Sequence, residues 1–213
     1  MKKGFNRIKL LAAFCIITAF SLVLAGCGSS STTTGVGSTT IKTSTTQSAN
    51  EGKSSISVVP SVSTIKPGGE FDISIRVQND QPTRGGQFSI RWDPNKVQCV
   101  STEEGSYFRD FVQSHNGDMF LIPSSPAFDN TNGIFPMDIN SPLMMAMTGA
   151  QGPDATNLGV TGSGDIYILH MIAKNDASGT VDFQLSNVIL GDATADSNNM
   201  HPTVNNGKIT ISP

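Results

Sequence analysis

The side chains that could perform catalysis or hold a metal ion are few and far apart in this sequence. The three histidines stand at positions 115, 170 and 201, without the spacing of a zinc site. No Gly-x-Ser-x-Gly, His-Glu-x-x-His or phosphate-binding-loop motif occurs. The neighbouring carboxylates of Glu103 and Glu104 are expected to lie in solvent at a strand end, and a carboxylate pair formed in space by distant residues stays open. The sequence therefore predicts a protein that is not an enzyme.

Two oxygen-rich segments are the remaining candidates for binding a cofactor. Residues 129–132, Asp-Asn-Thr-Asn, and residues 192–199 offer carboxylate and amide oxygens of the kind that Ca²⁺ prefers. Neither segment has the spacing of an EF-hand, and solvated turns rich in Asn and Asp have the same composition. We therefore expect no cofactor and keep calcium as the alternative.

The beginning of the chain has the order of a bacterial export signal. Four basic residues precede an apolar run over residues 10–24, about 15 residues long, which suits a signal peptide better than a membrane span. The run ends in Leu24-Ala25-Gly26-Cys27, which resembles the lipobox of bacterial lipoproteins, where the chain is cut before the cysteine and its thiol is lipidated. We predict a signal peptide over residues 1–26, lipidation of Cys27 and anchoring to the outer face of the cell membrane. An ordinary secretory signal and an uncleaved anchor are the alternatives.

The composition of the mature chain limits its partners. Removal of residues 1–26 takes away four of 14 Lys and Arg residues and none of the 17 Asp and Glu residues, which leaves a net charge of −7. An acidic exported protein has no electrostatic footprint for nucleic acid. Cys99 is then the only cysteine besides Cys27 and is expected to be a buried structural thiol. Residues 27–53, rich in Ser, Thr and Gly, predict a flexible tether below a folded domain over residues 54–213.

Alternation of apolar and polar residues predicts that this domain is all-β. Residues 85–100 are expected to form a hairpin-like unit at the centre of the core, with a turn at residues 93–95. No segment has a sustained helical period, and the aromatic residues 107–111 are expected to close one end of the core. The predicted strands are residues 55–60, 70–79, 85–92, 97–103, 118–122, 134–139, 143–148, 165–174, 180–190 and 208–212. The other predicted turns and loops are residues 66–69, 79–82, 123–132, 149–164 and 205–207. Strands recurring between turns predict an antiparallel β-sandwich of two sheets.

Two of the strands leave open which residues face the core. In residues 165–174 we favour an inward set of residues 167, 169, 171 and 173, because this leaves His170 outside with little desolvation cost. The opposite phase would bury residues 166, 168, 170 and 172. In residues 143–148, Leu-Met-Met-Ala-Met-Thr, the methionines are expected to fill the core, and a soft binding patch is the alternative.

Several segments together resemble the cohesin domain, a module of cellulosome scaffolds in a superfamily that also contains carbohydrate-binding modules. They are Pro-Gly-Gly-Glu-Phe-Asp-Ile-Ser-Ile-Arg-Val, Gly-Gly-Gln-Phe-Ser-Ile-Arg-Trp-Asp-Pro-Asn-Lys-Val, Gly-Ser-Gly-Asp-Ile-Tyr-Ile-Leu-His-Met-Ile-Ala-Lys and, near the end, Leu-Ser-Asn-Val-Ile-Leu-Gly-Asp and Asn-Gly-Lys-Ile-Thr-Ile. The resemblance covers residues 55–212. It implies a nine-stranded jelly roll that binds a dockerin module on one flat sheet face.

The resemblance also implies which residues form that face. They are the outward residues of the strand before the Asp-Pro turn, Gln87, Ser89 and Arg91, with Gly85 at the start of the strand. His170, outward on the strand 165–174, is expected to join them. The partner is then an exported, dockerin-like protein. A carbohydrate-binding module that acts in polysaccharide binding or breakdown and a passive structural envelope lipoprotein are the alternatives.

Overall fold

The computed structural model describes residues 54–149, 159–193 and 198–213. The predicted signal peptide, Cys27 and the tether lie outside the described residues. The elements, in chain order, are β1 (Ser54–Pro60), β2 (Thr64–Ile65), β3 (Glu70–Arg91), β4 (Val97–Glu104), α1 (Ser106–Ser114), β5 (Asp118–Ile122), β6 (Ile134–Phe135), β7 (Leu143–Thr148), β8 (Val160–Ala173), β9 (Gly179–Asp192), β10 (Thr203–Asn205) and β11 (Gly207–Ile211). None of the residues in these ranges belongs to a helix long and apolar enough to cross a membrane.

The long strand β3 belongs to both layers of a β-sandwich. Its first half pairs with β1 and β8, and β8 pairs in turn with β4. Its second half pairs with β7 and β9, and β5 and β11 extend that layer on either side. Thr83 marks the change, since it lies opposite Val160 of β8 and Asp192 of β9. The predicted all-β sandwich is confirmed, although the described residues form eleven strands rather than nine.

The core lies between the two layers and is built from the alternating residues of the strands. Phe71, Ile73, Ile75 and Val77 are buried, as predicted for residues 70–79. In the second half of β3, Phe88, Ile90 and Trp92 are buried likewise. The two layers meet where the Phe71 and Phe183 rings pack edge to face, 6.2 Å between centroids. Burial of these side chains is the main source of the stability of the domain.

Two predicted chain reversals are wrong. Residues 79–82 are not a turn, because β3 continues through them, and the polar groups that suggested a turn are satisfied inside the strand. Asn79 is fully buried, and its Nδ2 donates to the carbonyl oxygens of Gln81 (2.6 Å) and Val160 (3.3 Å). Residues 85–100 are not a hairpin either, since β4 pairs with β8 in the other layer after the turn at residues 93–95.

One helix interrupts the strands, against the prediction. Helix α1 carries the aromatic residues expected to close the core, and Tyr107, Phe108 and Val112 are its buried residues. Gly105 precedes it because the chain passes very close to β8 there: a Cβ at Gly105 would lie 1.9 Å from the carbonyl oxygen of Asp165. The predicted strand over residues 134–139 is also shorter, because only Ile134–Phe135 pairs with β3.

The orientation of β8 agrees with the favoured phase. Tyr167, Leu169, Met171 and Ala173 are buried, whereas Ile168, His170 and Ile172 are only half-buried. Ile166 is buried as well, because the register against β3 shifts at this end of the strand. In β7 the buried residues include Met145 and Met147, whereas Met144 points outward and is 41% exposed. The methionine cluster therefore supplies both core and surface.

The buried Cys99 thiol and Tyr107 hydroxyl are expected to make the domain less stable at high pH. Burial raises the pKa of the Cys99 thiol from 9.0 to about 12, and burial also raises the pKa of Tyr107 to about 12. For each group there is a pH range between its ordinary pKa, which applies to the unfolded chain, and its raised pKa in the folded chain. In this range the unfolded chain releases a proton that the folded chain keeps, so the free energy of unfolding falls as the pH rises. Urea unfolding at a series of alkaline pH values measures this slope. Cys99→Ala is expected to make it shallower, and an unchanged slope in that variant would contradict the assignment to Cys99.

Candidate functional site

The outer surface of the layer β5–β7–β3–β9 presents two rows of side chains that run across four strands. In the first row, Ile122, Met144, Gln87 and Ile189 lie opposite one another in successive strands. The second row, one pleat further along, is Phe120, Ala146, Gly85 and Gly191. We call these eight residues the recognition face.

This face exposes large apolar side chains. The exposed fractions are 51% for Phe120, 47% for Ile122, 41% for Met144 and 37% for Ile189. Isolated exposed apolar residues are ordinary, but a contiguous patch is typical of a surface that binds another molecule. The strands fix the patch, because the same alternation that buries Leu143, Met145 and Leu190 turns their neighbours outward.

Gly85 contributes space to the face and no side-chain contact. Its strand approaches β7 so closely that a Cβ would lie 2.4 Å from the carbonyl oxygen of Met145, so the fold itself requires glycine here. With Ala146 and Gly191 beside it, Gly85 lies at the bottom of a depression of about 310 Å³. The predicted site residue Gly85 is therefore part of the recognition face through its missing side chain.

Gln87 and Ser89 differ in how much they can offer a partner. Gln87 lies on the face, where its Nε2 donates to the carbonyl oxygen of Asn187 at 3.1 Å. Ser89 was expected to be outward and available, but it is fully buried. Asn187 covers it: the Asn187 Nδ2 donates to Ser89 Oγ at 3.3 Å and to the carbonyl oxygen of Ile139 at 2.9 Å. Asn187 and the segment around Ile139 thus cover this end of the face, so that Ser89 is not accessible to a partner.

Arg91 and His170 lie away from the centre of the face. Arg91 is exposed at the end of β3, opposite Ile134 and Gln184. His170 lies in the other layer of the sandwich, because β8 pairs with the first half of β3. Its Nδ1 lies 2.7 Å from Asp72 Oδ1, and its Nε2 lies 3.8 Å from Glu103 Oε1. The structure therefore does not bring His170 together with Gln87, contrary to the sequence prediction.

Phe120, Ile122, Met144 and Ile189 are not among the residues that the sequence predicts for the site. One signal was present, because residues 143–148 suggested a soft binding patch as an alternative. The others alternate with buried or partly buried residues and carry no polar chemistry that would single them out. Their association depends on the strand order β5–β7–β3–β9, which joins residues far apart in the chain.

The oxygen-rich segment at Asp129 is organised by its own hydrogen bonds. The Asn132 side chain and the backbone N–H of Thr131 donate to the Asp129 carboxylate and hold its pKa below the usual range. Asn130 holds the edge of β4 by bonding both the N–H and the carbonyl of Cys99. The described ranges contain no group of three His, Cys, Asp or Glu residues arranged for a metal ion. Residues 194–197 of the second segment lie outside the described part of the chain.

Comparison with known proteins identifies the class of this sandwich. The model of the cohesin domain family matches residues 55–211. No curated protein matches the sequence. The chain belongs to the cohesin domain family.

Solved structures share the fold at low sequence identity. A type II cohesin domain from the cellulosome of Acetivibrio cellulolyticus is 15% identical, with a TM-score of 0.54 over 75% of this chain and 95% of that one. The third cohesin of ScaC from the same organism, in complex with the ScaB dockerin, is 14% identical, with a TM-score of 0.52 over 75% and 99%. The OlpC cohesin of Clostridium thermocellum, in complex with a dockerin, is 12% identical, with a TM-score of 0.52 over 75% and 94%.

Proposed function

We propose that this protein is a non-catalytic cell-surface receptor that binds a dockerin-type module of an exported protein on the recognition face. The observation that carries the proposal is the set of exposed apolar side chains on β5, β7 and β9 that flank Gln87 and Gly85 of β3 in a cohesin domain. Membership of the family supports this class of partner, since solved structures of the same fold are described in complex with dockerins.

The chemistry of the surface supports protein binding over sugar binding. Carbohydrate-binding surfaces present exposed aromatic rings that stack on sugars. The only tryptophan, Trp92, and both tyrosines, Tyr107 and Tyr167, are buried. Phe120 is the one aromatic residue on the recognition face, so no aromatic platform forms there.

A charge placed in the centre of the recognition face is expected to abolish most of the binding. Met144→Lys should weaken the affinity for the partner at least tenfold, about 1.4 kcal/mol, because an ammonium group would be desolvated without a partner charge. The measurement is calorimetric titration of residues 54–213 with each recombinant dockerin module of the producing organism. Val100→Lys is the matched control, since Val100 is 58% exposed on the other layer. Equal loss in both variants, or no dockerin bound at all, would sink the proposal.

The anchoring part of the proposal depends on Cys27. A lipidated Cys27 would hold the domain at the membrane. Metabolic labelling with a fatty acid is expected to mark the wild-type protein and not Cys27→Ser. Release of the variant into the medium would accompany the loss of label, and retention of label would contradict lipidation at this residue.

A further inference from the structure

Strand β5 has no partner strand on the outer side of its backbone among the described residues. It pairs with β7 alone. The carbonyl oxygen of Asp118 faces β7, since Thr148 Oγ1 donates to it at 3.3 Å. The N–H of the same peptide, which belongs to Met119, therefore points away from β7, and it donates to Asp118 Oδ1 at 2.8 Å. Because backbone groups alternate along a strand, the carbonyl oxygen of Met119 and both backbone groups of Leu121 point outward too.

The other edges of the sandwich, within the described ranges, offer less to a further strand. At the edge of β4, the Asn130 side chain bonds both the N–H and the carbonyl of Cys99. The edge strands β2 and β10 are only two and three residues long. Short strands and covering side chains are common ways in which proteins protect the edges of sheets. β5 has five residues and one protecting group, the Asp118 carboxylate, so it is the edge best suited to pair with another strand.

The sequence of β5 is complementary to itself in the antiparallel direction. With Phe120 opposite Phe120 of a second copy, Met119 lies opposite Leu121, and the outward backbone groups of these two residues face one another. Asp118 then lies opposite Ile122, so no like charges meet. Both Phe120 rings lie on the same face of the joined sheet, where cross-strand aromatic pairs are stabilising. Phe120 is 51% exposed in the single chain, which leaves its ring available for this contact.

We infer that two copies of this protein associate through their β5 strands, antiparallel and related by a two-fold axis at Phe120. Such an interface is formed by the same surface of both copies. The layers β5–β7–β3–β9 of the two copies then form one continuous sheet. The two recognition faces lie side by side on the same side of that sheet, so the dimer presents both at once. The association uses the edge of β5 and does not rest on the proposed function.

Opposite charges at residue 120 test the two-fold arrangement. Sedimentation velocity of the chain that begins at residue 27, with Cys27→Ser to prevent lipidation, is expected to show a monomer–dimer equilibrium between micromolar and millimolar concentration. Phe120→Lys and Phe120→Glu should each weaken dimerisation at least about tenfold, because like charges would meet across the axis. An equimolar mixture of the two variants should form a heterodimer, since residue 120 faces only itself at the axis. Met144→Lys is the control, because Met144 lies one strand further from the edge and should leave dimerisation unchanged.

Asp118→Ala supplies a test in the opposite direction. It frees the N–H of Met119 for the second copy and should strengthen dimerisation several-fold. A wild-type chain that stays monomeric at millimolar concentration would overturn the inference. A mixture of Phe120→Lys and Phe120→Glu that dimerises no better than either variant alone would overturn it as well, and so would a dimer that Asp118→Ala fails to strengthen.

Discussion

Phe88→Ala is expected to lower the free energy of unfolding by about 3–5 kcal/mol, the range for removing a fully buried aromatic side chain. Phe88 is completely buried and packs against the rings of Phe135 and Tyr167, with centroids 6.3 and 6.1 Å away. The cavity would lie between the two layers, where neither backbone can easily move to fill it. Urea unfolding followed by tryptophan fluorescence measures the change, since Trp92 lies four residues further along the chain and is also buried.

Phe120→Ala is the control, because it removes the same side chain from the outer surface of the same layer. Phe120 is 51% exposed, so its loss is expected to change the free energy of unfolding by less than about 0.5 kcal/mol. It should weaken the binding of the dockerin partner instead. A larger loss of stability in Phe120→Ala than in Phe88→Ala would contradict the assignment of inside and outside in the layer β5–β7–β3–β9.

Asn79→Leu is expected to cost about 2–4 kcal/mol of unfolding free energy although it adds apolar volume. The substitution removes three hydrogen bonds: the one that the Tyr107 hydroxyl donates to Asn79 Oδ1 and the two that Asn79 Nδ2 donates to the carbonyl oxygens of Gln81 and Val160. Each is worth about 1 kcal/mol, and the Tyr107 hydroxyl keeps only the Val160 carbonyl oxygen as an acceptor. Guanidinium unfolding measures the loss.

Two tyrosine variants distinguish the contribution of the Asn79 hydrogen-bond network to stability from that of packing. Tyr107→Phe removes one member of the Asn79 network and is expected to cost about 1–2 kcal/mol. Tyr167→Phe removes a hydroxyl whose partner, Thr102 Oγ1, lies 3.3 Å away near the edge of the core, so it should cost less. The prediction fails if Tyr167→Phe proves the more harmful of the two.

The strands with strict alternation could be predicted from the sequence because each carries its own burial pattern. The strand Glu70–Asn79 follows from period two, and the phase of β8 follows from the cost of burying His170. The turn at residues 93–95 follows from the fixed φ of Pro94 between two Asx residues. The segments that resemble the cohesin domain indicated the family for the same reason, since they are the local sequences of β3, β8, β9 and β11. These features depend on residues that are neighbours in the chain.

The features that were missed depend on residues far apart in the chain. Asn79 and Pro82 suggested a turn, and only the contacts of Asn79 with the distant Val160 carbonyl oxygen and Tyr107 hydroxyl show how a continuous strand satisfies the buried Asn79 side chain. Ser89 fits the outward phase of its strand, yet Asn187 and the segment at Ile139 cover it. His170 was assigned to the wrong surface because the passage of β3 from one layer to the other cannot be read from its alternation. The exposed apolar residues of the recognition face likewise come together only when the strand order is known.

The sharing of β3 between both layers has a consequence for the order in which the chain becomes structured. Its second half pairs on one side with β6 and β7 and on the other with β9, and Thr83 pairs with Asp192, more than a hundred residues later. The closing loops are long, so their entropy must be lost before the contacts repay it, and such topologies fold slowly. An emerging chain that ends before β9 therefore lacks the strand that pairs with one whole side of the second half of β3. The domain reaches its native state only after nearly all of it has been synthesised, because the pairing of β9 with β3 and with β11 waits for the last strands.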